Sequence, residues 1–396
     1  MDSTAISRRQ LLALGAGAVA ASAGARFVAW PQDAVSAGAT APPGTPFPLV
    51  ALDGKAPLGQ VYDQPPNYET PTSRLIGRRN PPYTDTEDYY VRYREADVYR
   101  VDPDRFRLRV GGEAATEQID LSMADLRDLP TRRVGTVGAC AGLGRGLVRP
   151  LVPGMPWTKG DVSCGEWTGV PLEEVLRLAG ARPDASVVAF RGGRTIAAAK
   201  RDYWRHWDLE SMNRQGPLLA YELNGEPLPV WNGFPLRVVV PGTYAPGWVK
   251  QVVEIDIRRT PHPRDWRGNA PGTPLLKPMS LIVEPTDGST VQAGATVALR
   301  GVAWDHGTGL RRVDVSVDDG RSWIPARMER SVGRYAWRVF EAKVPAGDAG
   351  TLRVLSRAES RDGTRQPLDI PEEVMADGVR KNTAARTFAA VLEVRG

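Results

Sequence analysis

The chemistry-bearing feature of this 396-residue chain is one cysteine set in a glycine-rich turn. The segment reads Thr136-Val-Gly-Ala-Cys140-Ala-Gly-Leu-Gly-Arg145-Gly. A strand-like run, Arg133 to Val137, delivers Cys140 into the turn, and Arg145 follows close behind. A thiolate on a rigid strand end is a soft metal ligand. The glycines let a bulky cofactor approach the backbone. A nearby arginine favours the thiolate and attracts an anion. On the residues alone, two plainer readings stand beside this one. Cys140 can be a small buried cysteine in a tight turn, or it can pair with Cys164 in a disulfide where the compartment is oxidising.

Cys140 and Cys164 are the only 2 cysteines in the chain, which excludes a disulfide scaffold, a zinc finger, an iron–sulfur ferredoxin and a C-x-x-C-H haem attachment site. His206, His262 and His306 lie far apart without metal-ligand spacing and read as surface or structural histidines. There is no P-loop, H-E-x-x-H or G-x-S-x-G. Net charge is +5, from 51 basic and 46 acidic residues interspersed along the chain. No block is dense enough for a nucleic-acid arm. Arg201-Asp-Tyr-Trp-Arg-His-Trp207 is the densest aromatic and basic stretch, and it reads as a surface loop half-buried by its aromatics.

The elements that must position the thiol start well inside the chain. Ser7-Arg8-Arg9-Gln10-Leu11-Leu12 leads into a short run rich in alanine and glycine, which reads as a twin-arginine export signal. That run is too short and too weakly apolar to span a membrane. Gly15-Ala-Gly17 lies inside it with no strand before it, so it is no dinucleotide fingerprint. Residues 31 to about 80 read as an extended segment lying on the domain. From Tyr89 onward strands and short helices mix without strict βαβ alternation, giving an α+β domain. Its strands include Phe106–Val110, Ser186–Phe190, Leu236–Val240 and Val249–Ile257. Its helices are Met123–Leu129, capped by Ser122, and the one that opens at Pro171 and ends at Gly180. A proline-rich linker over residues 258–278 precedes a β-only region, whose short alternating strands read as an immunoglobulin-like β-sandwich. The expected boundaries are signal and linker 1–39, cofactor domain 40–270 and sandwich 275–396.

The order of segments resembles the sulfite oxidase family of molybdopterin enzymes, in particular its exported bacterial members. Tyr89-Tyr-Val-Arg92-Tyr-Arg94 is similar to that family's F-[FY]-V-R-x-H segment, and Cys140-Ala-Gly-Leu-Gly-Arg145 to its C-[AS]-G-N-x-R loop. Pro153-Gly-Met-Pro-Trp157 and Gly165-Glu-Trp-Thr-Gly-Val-Pro-Leu172 resemble the segments that follow. Leu219 to Pro229, Asn232 to Gly242 and Trp248-Val-Lys250 match in turn. Gly301-Val-Ala-Trp304 and Arg312-Val-Asp-Val-Ser316 resemble the family's dimerisation domain.

The resemblance implies molybdenum–molybdopterin with Cys140 as the protein's thiolate ligand to the metal. It places Arg92, Arg145 and Trp157 on the substrate side. It places Tyr90, Arg92, Arg94, Asn232, Arg237, Trp248 and Lys250 around the cofactor, with Trp248 acting through its backbone. The implied activity is periplasmic oxo transfer to sulfite or a related sulfur oxyanion, with electrons leaving to an external c-type cytochrome. The implied assembly is a homodimer, with no nucleic acid and no stable membrane span. The departures are Arg94 for histidine, Leu143 for asparagine, Trp266 for an active-site tyrosine and no arginine at Thr308 or Gly309. They keep two alternatives open: sulfane dehydrogenase or oxo-compound reductase chemistry on the same cofactor, and a non-catalytic exported binding protein. Cys164 is expected to be a packed free thiol.

Overall fold

Two antiparallel strands decide where the Cys140 turn points. Arg132–Ala139 pairs with Val162–Pro171, in register from Arg132↔Gly169 to Ala139↔Val162. The Cys140 N–H then donates to the Asp161 carbonyl at 3.0 Å, which carries the register one step further. Side chains directly opposite each other share a face, and successive ones alternate. Gly138, Cys140, Asp161 and Ser163 therefore share one face, while Val137, Ala139, Val162 and Cys164 occupy the other. The second face is apolar, and it is buried against Tyr244, Met279, Leu281, Trp304, Trp337 and Phe388.

The computed structural model describes residues 47–396, apart from 64, 94–97, 99, 149–153, 197–200, 266–273 and 369–385, and it gives only the backbone of 194–196 and 201. The export signal, Arg94, Pro153 and Trp266 lie outside the described residues. Residues 46–396 form one compact unit.

The Cys140 strand pair belongs to a sheet that continues through Leu218–Leu223 to Glu226–Pro227, with Arg237–Val239 also paired to Leu218–Leu223. A second sheet runs in the order Arg201–Asp208, Val187–Ile196, Val252–Arg258, Leu108–Gly111, Ile119–Leu121. Its pairing of Val252–Arg258 with Leu108–Gly111 is parallel. One apolar cluster draws on both sheets, through Val170, Leu219, Val238, Phe190, Ile255 and Trp167 among others. Helices are short: Met123–Asp128, Leu172–Leu178 and Leu209–Asn213 among the described residues. Ser122 and Asp125 form a reciprocal capping box, and Gly180 ends its helix at a φ of 60°. The expected helices are present, but strand dominates.

Beyond Leu276 the chain builds two further sheets. One is ordered Met279–Glu284, Thr296–Trp304, Arg338–Pro345, Arg327–Met328. The other is ordered Thr290–Gln292, Ala390–Arg395, Gly350–Ser360, Leu310–Ser316, Ile324–Pro325. Val297, Leu299, Val313, Val315, Val354 and Leu392 fill the space between them. No helix among the described residues is long and apolar enough to cross a membrane.

Two expectations are corrected. The segment before residue 80 is not merely extended chain on the surface. Leu49–Val50, Leu58–Tyr62, Asn67–Glu69 and Val91–Arg92 form a four-stranded sheet with its own core of Leu58, Tyr68, Val91 and Tyr93. Proline and glycine punctuate this segment without preventing short pairings between them. Arg201–Asp208 is a strand rather than a surface loop, and Tyr203 to Trp207 are all buried. The buried Arg205 guanidinium is accommodated by Asp265, whose two carboxylate oxygens both accept from Nη1, at 2.8 and 3.0 Å.

Gly144 fixes the exit of the cysteine turn. Its φ is 73°, and a Cβ there would overlap the Phe388 ring. Gly144→Ala should lower stability by about 2–4 kcal/mol, through strain plus overpacking. Urea denaturation of the two proteins side by side measures that difference.

Candidate active site

Cys140 is buried at the end of its strand, and its Sγ accepts from the Gly142 N–H at 3.4 Å. Cys164 is also a free thiol, fully buried on the opposite face, and burial raises its pKa to about 12. The two sulfurs point to opposite sides of one strand pair, so the disulfide alternative is excluded by the pairing register.

Around Cys140 the first layer is aromatic. Tyr89 and Tyr90 stack at 5.6 Å, Tyr89 meets Trp167 edge-on at 5.5 Å, and Trp167 meets Trp248 edge-on at 6.0 Å. A Cβ on Gly138 would overlap the Tyr89 hydroxyl and reach Trp248, so glycine is needed where the strand passes under these rings. The Tyr90 N–H donates to Ser163 Oγ at 3.2 Å. Burial, followed by the neighbouring Tyr89 and Cys140, holds the Tyr90 phenol well above its ordinary pKa.

Arg237 is buried between two indoles, with its guanidinium 5.1 Å from the Trp167 ring and 5.6 Å from the Trp248 ring. Nη1 donates to the Asn232 carbonyl at 3.0 Å, while Nε has no partner. Among the described residues it has no carboxylate partner, although burial lowers its pKa. Asn232 is fully buried, with Nδ2 on the Tyr90 carbonyl at 3.2 Å and Oδ1 unpartnered. Lys250 lies beside Arg237 in the backbone, bonds the Trp231 carbonyl at 2.6 Å and sits 3.9 Å over the Tyr93 ring. The Trp248 N–H donates to the Ala245 carbonyl at 2.9 Å and its Nε1 to Thr243 Oγ1 at 3.0 Å, and its ring face lies on Arg237.

On the other flank Arg145 opens a short helical turn, Arg145–Leu147. Gly142 and Gly154 make room for its guanidinium, and a Cβ at either would crowd it. Trp157 is fully buried beside Gly142, and its Nε1 has no partner. Arg92 is held further out, with Nη1 bonded to Asn67 Oδ1 at 3.2 Å and to the Tyr93 carbonyl. The structure thus joins Cys140, Tyr90, Arg145 and Trp157 to Arg237, Asn232, Trp248 and Lys250, but it turns Arg92 toward its own strand neighbours.

Two acids went unnoticed in the sequence. Asp161 is fully buried, and neither carboxyl oxygen has a partner. Burial, then Cys140 and Glu69, raise its pKa well above the carboxylate range. Glu69, also buried, accepts from the Thr158 N–H at 2.9 Å and from the Thr158 hydroxyl. Desolvation lifts its pKa to about 7. The available signal was an acid at Asp161 opening the otherwise uncharged run Val162–Gly165. Lys55 is a third buried charge. Its Nζ donates to the Thr86 carbonyl at 2.7 Å, and burial lowers its pKa to about 7. A cleft of about 290 Å³ adjoins Lys55 through Thr86 and is lined by Asp53, Glu87 and Glu226, an acidic rim that does not suit an oxyanion.

Among the described residues no group of three or more His, Cys, Asp or Glu can hold a metal ion. A metal at Cys140 therefore needs ligands brought by an organic cofactor. The donor set fits such a group: one buried sulfur, a buried cation without a counter-ion, and unpartnered polar atoms on Asn232 and Trp157 around it. A buried guanidinium lacking a carboxylate calls for an anion such as a phosphate.

These features define a molybdopterin-binding oxidoreductase. Residues 95–266 match the model of the oxidoreductase molybdopterin binding domain, and 275–383 that of the Mo-co oxidoreductase dimerisation domain. The chain is 32% identical over 366 residues to mitochondrial sulfite oxidase of Homo sapiens, covering 82% of this chain and 66% of that one. It is 32% identical over 368 residues to sulfite oxidase of Gallus gallus, covering 84% and 78%. The chain thus spans about two thirds of the length of its mammalian relatives. The fold is similar to that of the sulfane dehydrogenase SoxCD of Paracoccus pantotrophus, with a TM-score of 0.68 at 22% identity over 84% of this chain and 87% of that one. The chain belongs to the sulfite oxidase family.

Glu69 gives the site a measurable pH signature. Its folded pKa lies near 7, against an ordinary 4.5. Below 4.5 both states hold the proton. Between 4.5 and 7 only the folded state does, so its contribution to stability falls as pH rises through that window. Glu69→Gln should therefore gain stability over the parent at pH 8, by up to about 3 kcal/mol, with little difference at pH 4.5. Paired thermal melts at the two pH values check the sign.

Proposed function

We propose that this chain is a periplasmic molybdenum enzyme that oxidises sulfite or a related sulfur oxyanion and passes the electrons to an external c-type cytochrome. The observation that carries the reading is the buried Cys140 thiol at a strand end, flanked by the uncompensated Arg237 on one side and Arg145 on the other. Cys140 would hold the molybdenum. Arg237, Asn232 and Lys250 would hold the pterin and its phosphate, with Trp248 walling Arg237. When bound, the cofactor supplies a two-electron oxo-transfer centre. In the overall reaction sulfite and water give sulfate, two protons and two electrons.

The protein's own contribution is binding and orientation. Arg145 offers a planar fork to the oxygens of an oxyanion, leaving the sulfur lone pair free to face the centre. Trp157 and the Tyr89–Tyr90 stack exclude water, which strengthens that charge contact. Glycines at 142 and 154 leave Arg145 room to sit there without strain.

The twin-arginine signal supports export, and folding before export suits a cofactor inserted in the cytoplasm. The two C-terminal sheets packed face to face support an immunoglobulin-like sandwich beginning near residue 275, after a cofactor domain reaching about 270. The match to a dimerisation domain supports a homodimer. One observation favours sulfane dehydrogenase or oxo-compound reduction as a second reading: Arg92 is bonded to Asn67 and Tyr93 instead of standing open to an oxyanion.

Protein from a pterin-competent host should carry about one molybdenum per chain and reduce ferricyanide with sulfite. Cys140→Ser should lose most of the metal and the activity together. Arg145→Gln should keep the metal and raise the sulfite KM by roughly tenfold or more. Metal at full occupancy without any response to sulfite would shift the assignment to the second reading, which a substrate screen in both redox directions resolves.

A further inference from the structure

Asp161 has no work to do inside the protein. It is fully buried, and both carboxyl oxygens lack a partner. Buried polar groups are normally satisfied, and an orphaned pair on one carboxyl is costly to keep. Its backbone carbonyl accepts from the Cys140 N–H at 3.0 Å. By strand register its side chain shares the face of Cys140, directly opposite it. Two steps along that face, Ser163 meets Thr70 and the Tyr90 N–H.

The charges that act on Asp161 are those of Cys140, Glu69 and Arg145. Gly142, two residues beyond Cys140, lies against both Arg145 and Trp157, which puts the carboxyl opposite Cys140 close to the Arg145 flank of the thiol. Trp157, on the same flank, also has its indole Nε1 unpartnered. Two unpartnered groups and one guanidinium without a carboxylate partner among the described residues therefore frame the space beside Cys140.

We propose that Asp161 is a substrate-positioning residue, whose carboxyl hydrogen-bonds an oxygen of the sulfur oxyanion bound beside Cys140 while Arg145 holds another. This rests on the oxyanion reading given under Proposed function. A carboxyl and an oxyanion hydrogen-bond through one shared proton, whichever of the two brings it.

The test compares Asp161→Asn, which keeps a donor and an acceptor in the same shape, with Asp161→Ala, which keeps neither. Molybdenum content and near-ultraviolet circular dichroism are measured on each holoenzyme. Sulfate, as the product anion, is titrated into each while tryptophan fluorescence is followed. Asp161→Ala should bind sulfate roughly tenfold more weakly and raise the sulfite KM by a similar factor, with kcat within about twofold. Asp161→Asn should stay within about threefold of the parent in both. Tighter sulfate binding by Asp161→Ala overturns the proposal, since removing a merely repulsive charge gives that result. Unchanged affinity, no sulfate response in the parent enzyme, or loss of molybdenum from Asp161→Ala overturns it too. A molybdenum-replete parent that binds sulfate but turns over no sulfite would fail the oxyanion-oxidation reading, while the sulfate titration would still decide on Asp161.

Discussion

The register between Arg132–Ala139 and Val162–Pro171 is the constraint on which the rest depends. A slip of Arg132–Ala139 by one residue would turn Cys140 into the apolar core, onto the same face as Cys164. The register is held by burial on both sides. Val137, Ala139, Val162 and Cys164 are anchored in the cluster shared with the C-terminal sheets. On the other face the absence of a side chain at Gly138 admits Tyr89 and Trp248. One strand pair therefore separates a packing surface from a chemical one at the thickness of a single sheet.

The chemical face holds more charge than its burial would normally tolerate. Arg237, Lys55, Asp161 and Glu69 are all nine-tenths buried or more. The acids are shifted upward and the cations downward, and desolvation is the leading cause in each case. Elsewhere the protein pairs its buried charges directly, as with Arg205 and Asp265 or Lys159 and Asp287. Around Cys140, among the described residues, Arg237 and Asp161 are left without ion-pair partners, which is the arrangement of a site that awaits charged occupants.

Much of this was legible beforehand because it is written in local chemistry. The Cys140 turn, the capping box at Ser122 and the alternating C-terminal strands each follow from residues adjacent in sequence. The small sheet before residue 80 was missed because its pairings, such as Tyr68 with Val91, join short segments across loops rich in proline. Arg201–Asp208 was misread because a strand covered on both faces loses its alternation, and its central arginine, Arg205, looked solvated. Asp161 was missed for a different reason. Its importance comes from having no partner, and an unmade bond leaves no trace in a sequence.

Phe388 lies against Gly144, and the Ala389 carbonyl accepts from Lys159 at 2.7 Å. These contacts come from far along the chain, 230 residues beyond Lys159, and they close over the loop that begins at Cys140. The thiol loop thus gains its outer wall only once the C-terminal sheets have folded against it. The second β region is in effect part of the ligand loop's own support.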